Sequence, residues 1–348
     1  MTGKPTNRPA KALAGNHHIT GITGDVQANV DFWSRIMGLK FVKKTLNFET
    51  TFRYHTYFGD TDGNVGSVVT FLEFNDVPKA KAGRGNHHSA LLRVRSNEAL
   101  DYWMDRLTNE QIVSELVRLD PTQPRRLLFE DFEGHRVELI ATDAKDKPQV
   151  FPASEIPDEF RLTGIEGIRS NTRLDELAPY AEHMGFVRND AMRRFELVGE
   201  KRTARWYTAP VPDLPFQEFA VGVWHHLALD AEDDLAGWRD YAHSGPIPTT
   251  PIYDHHVFDS CYTQTPGGII ELASAGPGFS VDQTPEEFGE RLALSKRVEP
   301  LRAKLERELT PIVNPRRMDG SLKSTPGSDA VKAKPPEKSV KQADRAAG

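Results

Sequence analysis

The chain has one cysteine, Cys261, among 348 residues. A disulfide framework and a cysteine-based zinc site are therefore excluded, and a reducing cytoplasm fits that usage. There is no excess of positive charge, the formal net charge being -6. Nothing in that balance favours a nucleic acid or an anionic membrane as partner. No apolar run reaches the roughly 18 residues that a membrane-spanning helix needs. The opening stretch MTGKPTNRPAKALAGN lacks the apolar core of a signal peptide. No phosphate loop, nucleophile elbow or dinucleotide fingerprint is present. What remains is the composition of a globular protein, 38% hydrophobic and 27% charged, with length for about two domains.

What the sequence does have is an internal repeat. GNHHITGITGD is followed by the helical pattern VQANVDFWSRIMGLK and about three strands. Asp25 is placed to cap that helix, Val30, Trp33, Ile36 and Met37 recur at helical spacing, and Gly38 ends it. DTDGN at 60–64 is a hairpin turn signal. The pattern restarts at GNHHSALLRVRSNEALDYWMDRL, where His17-His18 recurs as His87-His88, 70 residues on. A third copy, without histidine at its start, begins near LTGIEGIRS, and a fourth at VGVWHHLALDAEDDLAGW.

Four strand–helix–three-strand units predict an α+β protein of four βαβββ modules, paired into two barrel-like domains with concave interiors. Composition shifts set the expected bounds. Residues 1–14 are a disordered leader and 15–142 a two-module domain. A linker at 143–161 leads to a second two-module domain at 162–280. A peripheral helical extension follows at 281–314, and a disordered tail at 315–348.

One acid stands out. TPGGIIELA at 265–273 reads as a tight turn feeding a buried strand, and the strand carries Glu271. A lone carboxylate there is costly to bury unless something positive compensates it. Overlaying the copies puts His18 and His226 at equivalent places on the first strand of units one and four, and Glu271 over Thr70. If those units pair, His18, His226 and Glu271 converge as three ligands around an open face, with Thr70 in the fourth place. Two imidazoles and one carboxylate with open positions suit Fe(II) that must meet substrate and O₂ together. Mn²⁺ or Zn²⁺ fits the same ligands.

Around that centre, strand alternation puts Thr20 on the face of His18 and turns His17 and His225 away, as packing or supporting groups rather than ligands. Tyr262 lies on the neighbouring strand across the glycine turn, where its hydroxyl would reach a metal-bound oxygen. His255 is a candidate acid or base near neutral pH. His88 repeats His18 and Glu138 repeats Glu271, but unit three offers no histidine, so both read as structural. His55 reads as a strand residue without catalytic duty, and Cys261 as core filler.

These residues carry a resemblance. GNHHITGITGDVQANVDFWSRIMGLKFVKKTLNF, YHTYFGD, WHHLALD and YTQTPGGIIELASAGPGF resemble the ring-cleaving dioxygenases of the vicinal oxygen chelate, or glyoxalase-like, superfamily, in particular the hydroquinone 1,2-dioxygenase type. The resemblance spans residues 15 to about 280 and is weakest in unit three. It implies a mononuclear Fe(II) enzyme of extradiol type that opens a dihydroxylated aromatic ring with O₂. Its ligands would be His18, His226 and Glu271, with His17, Thr20, His225 and Tyr262 around the substrate. Where that branch tends to carry Arg ahead of the tyrosine, this chain reads Asp254-His255-His256.

The expected partners are a small aromatic substrate and O₂, with no nucleic acid or membrane, and a homo-oligomer is allowed. Two other functions compete. A glyoxalase-like lyase or isomerase would need no O₂, but usually fills the fourth place with a carboxylate or histidine rather than Thr70. A protein that sequesters an aromatic compound would keep binding it without Glu271.

Overall fold

A computed structural model describes residues 7–47, 52–118, 123–209 and 213–323. All four expected units are realised. Unit one runs β1 (Asn16–Thr23), α1 (Val26–Val30, continuing as a π-helix over Asp31–Ile36), β2 (Lys40–Leu46), β3 (Tyr54–Gly59) and β4 (Val68–Glu73). Unit two has β5 (His87–Val94), α2 (Asn97–Asn109), β6 (Ser114–Val117), β7 (Arg126–Glu130) and β8 (Arg136–Ala141). Unit three has β9 (Ile165–Ser170), α3 (Leu174–His183), β10 (Val187–Asn189), β11 (Arg194–Val198) and β12 (Thr203–Thr208). Unit four has β13 (Trp224–Glu232), α4 (Leu235–Ser244), β14 (Tyr253–Asp254), β15 (Phe258–Thr265) and β16 (Gly268–Pro277). Among the described residues, no helix is long and apolar enough to cross a membrane.

The local chemistry follows the sequence. Asp25 accepts from the Ala28 amide at 3.0 Å and caps α1. Gly38 closes the helix with φ +71. Val30, Trp33, Ile36 and Met37 are buried. Truncating a fully buried indole such as Trp33 to alanine costs about 3–5 kcal/mol. In the hairpin turn Asp60 accepts from the amides of Asp62 and Asn64, at 3.2 and 2.8 Å.

Within each unit the first strand runs parallel to the last, and the other two follow antiparallel. Between units, β1 pairs antiparallel with β13, and β5 with β9. Units one and four thus make one barrel-like sheet and units two and three the other, joined through the pair Trp224 and His87. The bounds 15–142 and 162–280 therefore do not mark the two barrels, since the partner edges lie in different halves of the chain. Edge pairing is long-range and leaves no local mark in sequence.

The flanking segments also differ from expectation. Leu13 and Ala14 are buried, and the Ala14 amide bonds Asp230 O at 2.8 Å, so the described part of the leader is anchored; residues 1–6 lie outside the described residues. The 143–161 linker packs as a strap, burying Phe151, Ala153 and Ile156. The extension is helical only at α5 (Arg302–Glu308) and two single 3₁₀ turns, Phe279–Val281 and Glu299–Leu301. Before that it is mostly turn and meets β2 at a single bridge between Lys44 and Leu292, where the Ala293 amide bonds Lys44 O at 2.9 Å. That contact lies at the end of the sheet, where β2 is the edge strand. Arg316 is buried, donating to Ser34 O at 2.8 Å and to Glu155, so the described part of the tail is fixed as well. Residues 324–348 lie outside the described residues.

Candidate metal centre

Pairing of units one and four brings His18 of β1, His226 of β13 and Glu271 of β16 together. Parallel register sets Glu271 beside Ala228, two residues beyond His226, while antiparallel register sets Thr20 beside His226 and His18 beside Ala228. One ligand atom from each of the three lies within 4.8 Å of the others. His18 Nε2 and His226 Nε2 stand 2.9 and 3.0 Å from Glu271 Oε2, and 3.3 Å from each other. All three side chains are buried, Glu271 completely.

These separations are short, yet neither carboxylate oxygen of Glu271 has a partner in hydrogen-bonding geometry. An acid shut away from water without a donor is costly. The three ligand atoms lie within 4.8 Å of one another, close enough to share one cation. Burial pushes the Glu271 carboxyl up, but His18 and His226 outweigh it and hold it well below the usual carboxylate range. Burial lowers His226 despite the acid beside it. A carboxylate with neutral imidazole is the ligand form a divalent metal requires.

The paired histidines owe their arrangement to two matching β-bulges. Register slips between Asn16 and His18 on β1, and again where Thr20 and Gly21 face His226 and Trp224. His17 and His225 are the extra residues. Their rings turn back onto the ligands, with His17 Nδ1 2.9 Å from His18 Nδ1 and His225 Nδ1 2.7 Å from His226 Nδ1. His17 Nε2 meets Ser274 O at 3.0 Å. Each ligand ring thus has its Nδ1 held and its Nε2 left for the centre. Burial, and then the neighbouring ligand histidine, lowers both His17 and His225 to about 3. This is the supporting place expected of them, reached through a bulge that breaks the two-residue period rather than through simple alternation.

Thr70 occupies the place in unit one that Glu271 has in unit four. It is bonded to Thr20 Oγ1 at 3.0 Å and to His55 Nε2 at 2.8 Å. Tyr262 faces Glu271 across the hairpin, stacks edge-on to His226 at 5.5 Å, and its hydroxyl is 3.1 Å from His255 Nε2. Burial, and then Glu271, keeps the Tyr262 phenol protonated well above its ordinary range. His255 is itself lowered by burial. A cavity of about 940 Å³ is lined by His55, Tyr57, His255 and Tyr253, and is walled on one side by Asp282 and Arg291 of the extension. His55 and Tyr57 line that cavity, and His55 is joined to Thr70 beside the three-residue centre. The signal available was YHTYFGD itself, whose Tyr57 faces Thr70 as Tyr262 faces Glu271.

In the other barrel the repeat slips by one. A bulge between His87 and Ser89 makes His88 the extra residue and sets Ser89, not His88, in the ligand place. Glu138 accepts from Arg126 at 2.5 Å and from Arg169 at 2.6 and 2.9 Å. Burial raises the Glu138 carboxyl, but Arg169 and Arg126 bring it down to about 2. Two guanidinium groups thus do for Glu138 what a cation would do for Glu271. A separate cleft of about 860 Å³ beside it, bordered by Phe32, Val113 and Phe132, does not reach the three-residue centre.

Known proteins resemble this chain in sequence and fold. The family model described as Glyoxalase/Bleomycin resistance protein/Dioxygenase superfamily matches residues 15–139. MhqA of Bacillus subtilis, named as a ring-cleaving dioxygenase, is 31% identical over 320 residues, covering 86% of this chain and 98% of that protein. The chlorohydroquinone/hydroquinone 1,2-dioxygenase of Sphingobium indicum is 25% identical over 319 residues, covering 86% and 98%. A crystal structure of a Bacillus subtilis protein named as a dioxygenase superposes with a TM-score of 0.79 at 27% identity, covering 88% of this chain and all of that one. Glyoxalase I of Zea mays shares the fold alone, with a TM-score of 0.54 at 11% identity over 75% of this chain and 92% of that one. The chain belongs to the glyoxalase/bleomycin resistance protein/dioxygenase superfamily and stands within it among the proteins named ring-cleaving dioxygenases.

Proposed function

We propose that the chain is an Fe(II)-dependent dioxygenase that opens a dihydroxylated aromatic ring, of hydroquinone or catechol type, and places both atoms of O₂ in the product. The observation that carries this reading is Glu271: a fully buried carboxylate, without hydrogen-bond partners, flanked by two imidazole Nε2 atoms. His18, His226 and Glu271 would hold the metal, which when bound supplies a redox-active cation able to bring ring oxygen and O₂ together. Mn²⁺ or Zn²⁺ would be held by the same three groups. The names of MhqA and of the hydroquinone 1,2-dioxygenase support the reaction class.

The chain's own residues divide the remaining work. His17 and His225 hold the ligand rings from their Nδ1 sides. Thr70 is neutral and engaged with Thr20 and His55, so the fourth place adds no charged ligand and stays open to substrate. That neutrality favours O₂ chemistry over a closed glyoxalase-type site. The Tyr262–His255 pair would exchange a proton with a ring oxygen, a role that their mutual contact supports. Turnover under ¹⁸O₂ is the test. Two labelled oxygens in a ring-opened acid support the reading, whereas product formed without O₂ uptake overturns it.

A further inference from the structure

Tyr57 and Tyr262 are related by the pseudo-twofold of units one and four. Tyr57 faces Thr70 in the β3–β4 pair, and Tyr262 faces Glu271 in the β15–β16 pair. Each tyrosine hydroxyl meets an imidazole, Tyr57 with His55 Nδ1 at 2.9 Å and Tyr262 with His255 Nε2 at 3.1 Å. The His55 chain continues inward. His55 Nε2 reaches Thr70 Oγ1 at 2.8 Å, and Thr70 Oγ1 reaches Thr20 Oγ1 at 3.0 Å. All four members are buried, and Thr20 stands beside His226 and two residues from His18.

We propose that His55, oriented by Tyr57, is a positioning residue for the ring-cleavage reaction. Through Thr70 it fixes the direction in which the Thr20 hydroxyl points at the metal's fourth place. This rests on the function proposed above. A row of hydroxyls alone has two equivalent proton arrangements, and an imidazole at its end selects one, because its two nitrogens must play opposite roles. A phenol is a better donor than acceptor. Tyr57 therefore donates to His55 Nδ1, and His55 Nε2–H donates to Thr70. Thr70 in turn donates to Thr20, which is left to donate into the site. An oxygen donor already aimed where a ring oxygen becomes anionic stabilises it without reorganisation, and loss of one such donor costs on the order of 10²–10³-fold in turnover. No proton is consumed, since the chain only sets orientation.

The test uses the full-length, metal-reconstituted protein and His55→Phe, Tyr57→Phe, the double variant and His55→Gln, whose amide keeps a donor toward Thr70. The first readout is steady-state kinetics with metal analysis. For His55→Phe, kcat should fall about 10–100-fold with KM and bound metal within about twofold of wild type. His55→Gln should recover part of the loss, and the double variant should be no worse than His55→Phe, as expected for members of one chain. The second readout needs no turnover. Nitrohydroquinone is bound under argon to the zinc-loaded protein, and the absorbance of its ionised form is followed against pH. Its ionisation midpoint should rise in His55→Phe. The proposal is overturned if kcat and probe ionisation both stay at wild-type values, or if metal is lost in step with kcat. It is also overturned if the single losses multiply in the double variant, or if the wild-type protein does not bind the probe. A wild type that binds and ionises the probe but consumes no O₂ sinks the dioxygenase reading while leaving the hydroxyl chain to be judged by the probe.

Discussion

Replacing Glu271 with leucine should change stability in opposite directions with and without metal. In the metal-free protein the carboxylate is buried with both oxygens unpartnered in hydrogen-bond terms. Leaving a buried polar group so costs about 1–3 kcal/mol. Removing it leaves His18 and His226, and burial favours the neutral form of His226. Glu271→Leu should therefore be as stable as the wild type, or more stable by about 1–2 kcal/mol, when both are stripped by chelator. For a domain of about 150–250 residues each kcal/mol shifts the midpoint by about 2–4 °C, so the gain is at most several degrees. With metal the order reverses. A cation held at about a thousand times its Kd adds about 4 kcal/mol to the wild type and nothing to a variant that does not bind it. Thermal unfolding followed by circular dichroism, with EDTA and with anaerobic Fe(II), gives all four midpoints. A chelated variant less stable than wild type by about 2 kcal/mol or more would show that Glu271 is a structural acid. A metal-dependent rise retained by the variant would show that the ligand assignment is wrong.

Other outcomes follow from the same geometry. Glu138→Gln should destabilise the protein by about 3–5 kcal/mol, because Arg126 and Arg169 lose a buried counter-charge, while bound metal stays unchanged; chemical denaturation with metal analysis checks both. His225→Ala should weaken metal affinity about 10–100-fold through loss of the group that holds His226 Nδ1, whereas His88→Ala should leave it unchanged; competition with a chromophoric chelator reads both. Acid should destabilise the metal-free protein. His17 and His225 sit at about 3 when folded and near the ordinary histidine value when unfolded, so the unfolded chain binds more protons between about pH 6.5 and 3. Stability is complete above that window and falls as pH drops through it, by about 1.4 kcal/mol per pH unit for each group, which denaturant midpoints at stepped pH would show.

How much of this was legible in the sequence differs residue by residue. His18, His226 and Glu271 were found because a repeat gives residues far apart the same address on the same strand. Thr70 followed from the same overlay. His17 and His225 support the two histidines as expected, but from an inserted residue that breaks the alternation, and a bulge has no clear mark in an eight-residue run of buried positions. The same insertion shifted the second barrel by one, from His88 to Ser89. Which unit pairs with which was open, because β1 and β13 recognise each other through edges more than 200 residues apart in sequence. The extension at 281–314 reads as helix from its charged residues, but only Arg302–Glu308 is α-helical and much of the rest is turn, touching the edge strand β2 at Lys44. The contacts of His55 with Tyr57 and Thr70 are not legible either, since all three are ordinary strand residues until folded.

His18 of β1, His226 of β13 and Glu271 of β16 would together hold a metal that carries O₂ chemistry. Anaerobic reconstitution with Fe(II), followed by metal analysis and O₂ uptake over a small panel of dihydroxyaromatics, tests it most directly, with His226→Ala and Glu271→Ala alongside the wild type. The account predicts that wild type retains iron and consumes O₂ with at least one hydroquinone or catechol, and that both variants lose iron and uptake together. Iron retained by either variant, or a fully loaded wild type that consumes no O₂ with any of them, would contradict it.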